Sequence, residues 1–350
     1  IRYISCERPE RFCFSFAEIS YKYRRRSRRH KNKEGPLIMS KPRLLFMGTP
    51  EFAVPSLRRL IEAVYPIVGV ITQPDKPRGR GRRLQPPPAK ELAAAHELLI
   101  LQPERVRDES FLQLFRGLNP DLVVVAAFGQ ILPPEILERP PLGCINVHPS
   151  LLPKYRGAAP LNWTLIRGET TTGVTIMMMD AGVDTGDIIM RRETPVAPGE
   201  TYDLLHDRLA RLGAELLLET VALLAAGRAV RTPQRQEEAT YAPRIRKEDG
   251  CIDWRRDAGA IVNLIRGLSS TPGAYTFLGG KMLKIYRAAG RPGDTGAAPG
   301  TVGTATKDGL PVAADDGWVY LQDVQLEGKN RMAIHDFLRG FRLPERSRCG

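Results

Sequence analysis

The sequence predicts an α/β protein: an open, mostly parallel, Rossmann-like sheet followed by a small C-terminal β-barrel of OB-like type. Three observations carry this. Short apolar runs alternate with longer helical stretches through residues 43–227, as in repeated strand–helix units. Residues 122–127 (LVVVAA) are apolar without interruption, the pattern of a strand buried on both faces. After Gly227 the texture changes to polar sequence and then to short β-like runs parted by Gly- and Pro-rich turns.

Residues 43–47 (RLLFM) read as a buried strand ending in Gly48-Thr49-Pro50, with a helix over 55–64. Residues 67–72 (IVGVIT) form the second strand, and 90–97 and 108–117 are short helices. Strands follow at 122–127, 144–148, 174–179 and 187–192, the last two parted by the glycine-rich turn 180–186. Residues 201–227 are a long helix with Leu204, Leu205, Leu209, Leu212, Leu216 and Leu217 on one face and Gly227 as its stop. The polar segment 228–246 reads as a linker. A helix over 258–268 precedes strands at 274–278 and 281–287, joined by a Gly279-Gly280 hairpin turn, and at 317–324. The organisation expected is a basic extension (1–38), a catalytic domain (39–227), the linker (228–246) and the barrel (247–350).

The net charge is +13 over 350 residues. Residues 1–38 carry +7 of it, which leaves +6 on the body. The extension lacks the apolar core of a secretory signal, and its four glutamates oppose an organelle transit peptide. It is expected to be a disordered or non-native leader, with Met39 as the start. Five scattered cysteines without a CxxC pattern indicate a reducing, cytoplasmic setting and no cysteine-ligated metal. No run approaches a membrane span, and no exposed apolar stripe demands a partner, so a monomer is expected.

Open α/β sheets bind ligands at the carboxyl ends of their strands. Gly48-Thr49-Pro50 lies at such an end but lacks the further glycines of a dinucleotide site, and reads as a tight strand-to-helix turn. Asn146 and His148, two apart in a strand, share a face at that edge. An amide donor beside an imidazole suits acyl transfer, by oxyanion stabilisation and proton handling. Asp180 and Asp184 occupy the glycine-rich turn; either orients a histidine or water, or makes ordinary turn hydrogen bonds. Residues 74–90 (PDKPRGRGRRLQPPPAK) hold six cations against Asp75 on the same side of the sheet, a composition suited to phosphates and unpaired nucleotides.

The runs NVHPSLLPKYRGAAP (146–160) and MDAGVDTGD (179–187) resemble the folate-dependent formyltransferases. MGTPEFAVPSL (47–57), TQPDKPRGRGRRL (72–84) and YAPRIRKEDGCIDW (241–254) narrow the likeness to the branch acting on methionyl initiator tRNA. It extends from Met39 to about Gly340. The resemblance implies the formyltransferase fold, with 10-formyltetrahydrofolate as donor and no metal. It implies Asn146, His148 and Asp184 as the catalytic trio, and Ser150, Leu151, Leu152 and Pro153 as the folate-binding stretch. Arg78, Arg80, Arg82, Arg83 and Lys247 would meet the tRNA, with Arg80 foremost. One departure is Arg244, where the family pattern has lysine; a second cation is retained nearby. The rivals are a glycinamide ribonucleotide or amino-sugar formyltransferase and a non-catalytic RNA-binding protein of the same fold. The basic insertion and appended barrel oppose the first pair, and the intact trio opposes the second.

Overall fold

The computed structural model describes residues 41–78, 83–341, 343 and 347–350. The extension 1–38, Arg80 and Arg82 lie outside the described residues.

The N-terminal domain runs β1 (Leu44–Gly48), α1 (Ala53–Glu62), β2 (Ile67–Ile71), β3 (Lys76–Arg78), β4 (Arg83–Gln85), α2 (Pro88–Ala95), β5 (Ile100–Leu101), α3 (Glu109–Leu118), β6 (Leu122–Ala126), α4 (Pro134–Glu138), β7 (Cys144–His148), α5 (Pro160–Ile166), β8 (Thr171–Met178), β9 (Ile188–Pro195) and α6 (Tyr202–Ala225). The described main sheet has the order β5-β2-β1-β6-β7-β8-β9. Its pairings are parallel up to β7 and antiparallel for β8 and β9. Every residue of β1, β2 and β6 is buried, which explains their unbroken apolar sequences. Alternate residues feed two cores: Leu44, Phe46, Val124, Ile145 and Val147 on one face, Leu45, Met47, Val123, Val125 and Cys144 on the other.

Helix α6 covers the first face with Leu205, Leu209, Leu216 and Leu217. Leu204, expected on that face, is 61% exposed, because it sits one step round the helix from Leu205. Gly213 rests on β7, where a Cβ would stand 2.8 Å from Val147 Cγ1. Two strands lie within the basic run: β3 and β4 pair antiparallel. Lys90, counted among its cations, is buried in α2. Its Nζ donates to both Asp75 carboxylate oxygens at 2.8 Å and to Gln102 Oε1 at 2.7 Å. This ion pair pins the base of the hairpin.

Residues 228–246 lie along the catalytic domain. Thr232 exchanges main-chain hydrogen bonds with Ile188, and Ala242 pairs with Arg156 and Ala159. Ala242 is fully buried and Gln234 nearly so. The second domain opens with α7 (Ala258–Leu268), capped by Asp257, whose carboxylate accepts from the Ala260 N–H. β10 (Ala274–Leu278), β11 (Lys281–Pro292), β12 (Leu310–Ala313), β13 (Gly317–Leu326), β14 (Met332–Ala333) and α8 (Ile334–Gly340) follow. The strands pair in the order β10-β11-β13-β12. Bridges Val302↔Val312, Thr301↔Arg348 and Leu278↔Cys349 carry the pairing from β12 back to β10. The sheet thus closes into a barrel whose last staves are too short to read as strands. The barrel docks on α5 through α7: Asn162 Nδ2 donates to the Gly267 carbonyl at 2.8 Å, and a Cβ on Gly267 would meet Ile166 Cγ1 at 2.8 Å.

Candidate active site

The parallel strands β1, β2, β6 and β7 end at one edge of the sheet, and β7 ends on His148. Ile145 and Val147 point into one core, so Asn146 and His148 share the opposite face. The basic hairpin leaves the same edge three strands away, about 14–15 Å at ordinary strand spacing. Thr49 and Gln73 stitch this edge: the Gln73 N–H donates to Thr49 Oγ1 at 3.1 Å, and Gln73 Nε2 to the Phe128 carbonyl at 3.3 Å. Gly48 is a matter of space, since a Cβ would stand 2.8 Å from the Ala126 carbonyl oxygen. That is the tight strand-to-helix turn read from the sequence.

His148 is held from both sides. Its Nε2 lies 3.0 Å from the Tyr155 carbonyl oxygen, which only accepts, so Nε2 carries a hydrogen. Its Nδ1 faces Asp184, with Oδ2 at 3.6 Å. That separation exceeds a hydrogen bond but keeps the carboxylate charge against the ring. Both side chains are shielded, at 4% and 15% exposure. The two aspartates of the glycine-rich turn divide their roles. Asp180 Oδ1 accepts from the Gly182 N–H and the Thr185 hydroxyl, which is turn chemistry. Asp184 reaches out of the turn, and its Oδ2 accepts from the Gly157 N–H at 2.8 Å.

Backbone geometry supports this arrangement. Asp184 adopts φ 54° and Tyr155 φ 62°, left-handed conformations that are uncommon outside glycine and concentrate at functional sites. Gly157 has φ +118°, and a Cβ there would stand 2.8 Å from the Ala242 carbonyl oxygen. A side chain at Gly157 would therefore displace the N–H that holds Asp184. Tyr155 also receives support: its N–H donates to Thr240 Oγ1 and its hydroxyl donates to Glu169. Burial, then the hydrogen bond to Glu169, pushes its phenol up to about 12.

The stretch 150–153 runs directly on from His148. Ser150 and Leu152 are fully buried, with Ser150 Oγ donating to the Lys154 carbonyl and the Leu152 N–H donating to Thr175 Oγ1. What Ser150, Leu151, Leu152 and Pro153 offer a ligand is therefore backbone and the half-buried Leu151, rather than the serine hydroxyl. Arg78 and Arg83 are register partners in the hairpin, and Lys247 is exposed beside the short 3-10 turn Glu248–Gly250. Sequence reasoning missed Tyr155, Arg156 and Gln234. Arg156 is 1% exposed, an unusual burial for a guanidinium; it lies within the run 146–160, but no local pattern there signals burial.

With this geometry in view, comparison with known proteins is decisive. Residues 42–221 match the formyl transferase family and 244–342 match its C-terminal domain. The chain belongs to the formyl transferase family. It is 57% identical over 305 residues to the methionyl-tRNA formyltransferase of Syntrophus aciditrophicus (strain SB), a match spanning 87% of this chain and 98% of that one. It is 52% identical over 308 residues to that of Geobacter sulfurreducens, spanning 88% and 96%. Among solved structures, methionyl-tRNA formyltransferase from Clostridium thermocellum superposes with a TM-score of 0.51 at 20% identity, over 81% of this chain and 98% of that one. The last likeness concerns the fold. In this formyl transferase, His148 and Asp184 face each other at the carboxyl edge of the N-terminal domain with Asn146 on the same strand face as His148, and the match to the C-terminal domain covers most of the barrel.

Proposed function

We propose that this chain transfers the formyl group of 10-formyltetrahydrofolate to the free α-amino group of methionyl initiator tRNA. The observation that carries the site reading is the facing pair of His148 and Asp184, with Asp184 anchored on the Gly157 N–H and Asn146 two residues before His148 on the same strand face. End-to-end likeness to methionyl-tRNA formyltransferases, barrel included, supports the acceptor.

The α-amino group of an aminoacyl ester is a modest base, and a free α-amino group titrates near ~7.7–8.0, so a useful fraction is neutral at pH 7. Its lone pair attacks the formyl carbon, and a C–N bond forms as the carbonyl electrons move onto oxygen. Asn146 supplies an amide N–H to that oxyanion and His148 a ring N–H through Nδ1, the nitrogen not committed to Tyr155. The Tyr155 carbonyl holds the imidazole in this orientation, and the Asp184 carboxylate faces the ring as charge develops. The amine gives up a proton, the bond to the folate nitrogen breaks, and that nitrogen takes a proton. The stretch Ser150–Leu151–Leu152–Pro153 binds the folate through its backbone and Leu151. Arg78, Arg80, Arg82 and Arg83 of the basic run 74–90, together with the exposed Lys247, bind the tRNA.

The enzyme acts as a monomer in the cytoplasm on this reading. Cys144, Cys251 and Cys349 are free thiols, and no described helix is long and apolar enough to cross a membrane. The test is formylation of charged initiator tRNA against glycinamide ribonucleotide, with 10-formyltetrahydrofolate as donor. Turnover of the tRNA alone is expected. Turnover of the small acceptor alone would overturn the assignment.

A further inference from the structure

The buried Arg156 is built into a relay that ends on Asp184. Its Nε and Nη2 donate to Gln234 Oε1 at 3.1 and 2.7 Å, and its Nη1 donates to Gln236 Oε1 at 2.7 Å. With Gln234 Oε1 taken by the guanidinium, the amide nitrogen must point the other way. Nε2 donates to the carbonyls of Asp184 at 2.9 Å and Gly186 at 2.7 Å. The amide cannot be turned over, because that would set N–H groups against the guanidinium and oxygen against two carbonyls. Arg156 is continuous with the second hold on Asp184, since the next residue, Gly157, donates its N–H to the carboxylate. Main-chain hydrogen bonds from the Arg156 N–H to the Thr240 carbonyl and from the Ala242 N–H to the Arg156 carbonyl tie this unit to the 228–246 segment.

Burying a guanidinium costs free energy unless its donors are met. At 1% exposure Arg156 cannot serve as a substrate-facing cation. What its geometry does is fix Gln234, and through Gln234 the carbonyl side of a residue held at φ 54°. We infer that Arg156 and Gln234 are positioning residues that hold the Asp184 turn in its working conformation. The segment read from sequence as a linker is thus a strap that completes the catalytic site. This rests on the reading of Asp184 as the partner of His148.

The test is Gln234→Glu in the full-length enzyme, with Asp184→Asn assayed beside it. A glutamate keeps and strengthens the tie to Arg156, so the strap stays docked, but it cannot donate to the Asp184 and Gly186 carbonyls. The expected result is a kcat lowered about tenfold or more, with KM for both substrates within about twofold. The new carboxylate oxygen stands against two carbonyls, so the thermal midpoint falls by a few degrees while the enzyme stays folded at the assay temperature, and the pH limb of kcat that depends on the His148–Asp184 pair is displaced. A kcat within threefold of the parent, or a uniformly lowered pH profile with no displaced limb, overturns the inference. If Gln234→Glu fails to fold, the apolar double variant Arg156→Met/Gln234→Met removes charge and relay together and is read by the same criteria. If Asp184→Asn itself leaves kcat unchanged, the reading of the site fails. If Asp184→Asn lowers kcat and the strap variants do not, only the relay fails.

Discussion

Nδ1 of His148 stands 3.6 Å from Oδ2 of Asp184, and that same oxygen receives the Gly157 N–H at 2.8 Å. The carboxylate is thereby fixed by main chain rather than by the imidazole it faces. The ring keeps Nδ1 turned toward Asp184, because Nε2 is committed to the Tyr155 carbonyl. A pair arranged in this way can respond to charge developing on a substrate without first breaking a hydrogen bond of its own.

Asn146 carries the other proposed contact to the oxyanion. Asn146→Ala should lower kcat by roughly 10²–10³ while leaving KM for tRNA and folate little changed. Steady-state kinetics with each substrate varied in turn reads both. Asn146 is half-buried in the middle of β7, so the thermal midpoint serves as the control for folding.

Asp75 gives a pH dependence of known sign. Burial pushes its carboxyl up, but hydrogen bonds from Lys90 and Gln102, with the Lys90 charge, hold it below its ordinary value. A depressed carboxylate stabilises the folded protein above the usual carboxylate range, and the contribution is lost as pH falls through the folded value. Asp75→Asn should therefore cost about 1–2 kcal/mol in urea unfolding at pH 7, with the difference from the parent vanishing in acid. With the hairpin base loosened, tRNA affinity should fall as well.

The basic hairpin should govern the salt dependence of tRNA binding. Replacing Arg78, Arg80, Arg82 and Arg83 by glutamine should flatten the slope of log affinity against log salt by about 2–3, at roughly 0.7 for each single-strand phosphate that is no longer neutralised. Removal of residues 1–38 should leave the slope unchanged, although they hold +7 of the +13 net charge. Titrations at several salt concentrations separate the two.

Gly267 sets how closely the barrel approaches the catalytic domain. Its missing Cβ would stand 2.8 Å from Ile166 Cγ1 and 3.1 Å from the Asn162 carbonyl oxygen. That carbon is not the free end of the isoleucine, and the Ile166 N also stands at 3.1 Å, so a methyl group already forces the two helices apart. Gly267→Ala should cost about 1–3 kcal/mol in stability, Gly267→Val more, and both should raise KM for tRNA more than they change kcat. Denaturant unfolding alongside kinetics checks both effects.

Much of this was legible because it is periodic or local. The i, i+2 spacing of Asn146 and His148 put both on one face, and the unbroken apolar strands declared a parallel sheet. Other features depend on contacts far apart in sequence. Arg156 and Gln234 are 78 positions apart, and neither lies in a pattern that announces burial. Lys90 reads as one more cation of a basic run until the fold brings Asp75 and Gln102 to it. The closing staves of the barrel, at residues 301–302 and 348–349, are too short to show alternation. Helix α5 escaped notice because it opens at Pro160, directly after an irregular glycine- and proline-rich run.

The most direct measurement is a single-turnover formylation of charged initiator tRNA by the parent enzyme and by Asp184→Asn, at saturating 10-formyltetrahydrofolate. Asparagine keeps an acceptor for the Gly157 N–H and removes only the charge facing His148. The rate should fall by about 10²-fold or more with tRNA binding unchanged. A variant that formylates the tRNA at the parental rate would contradict the role given to the His148–Asp184 pair.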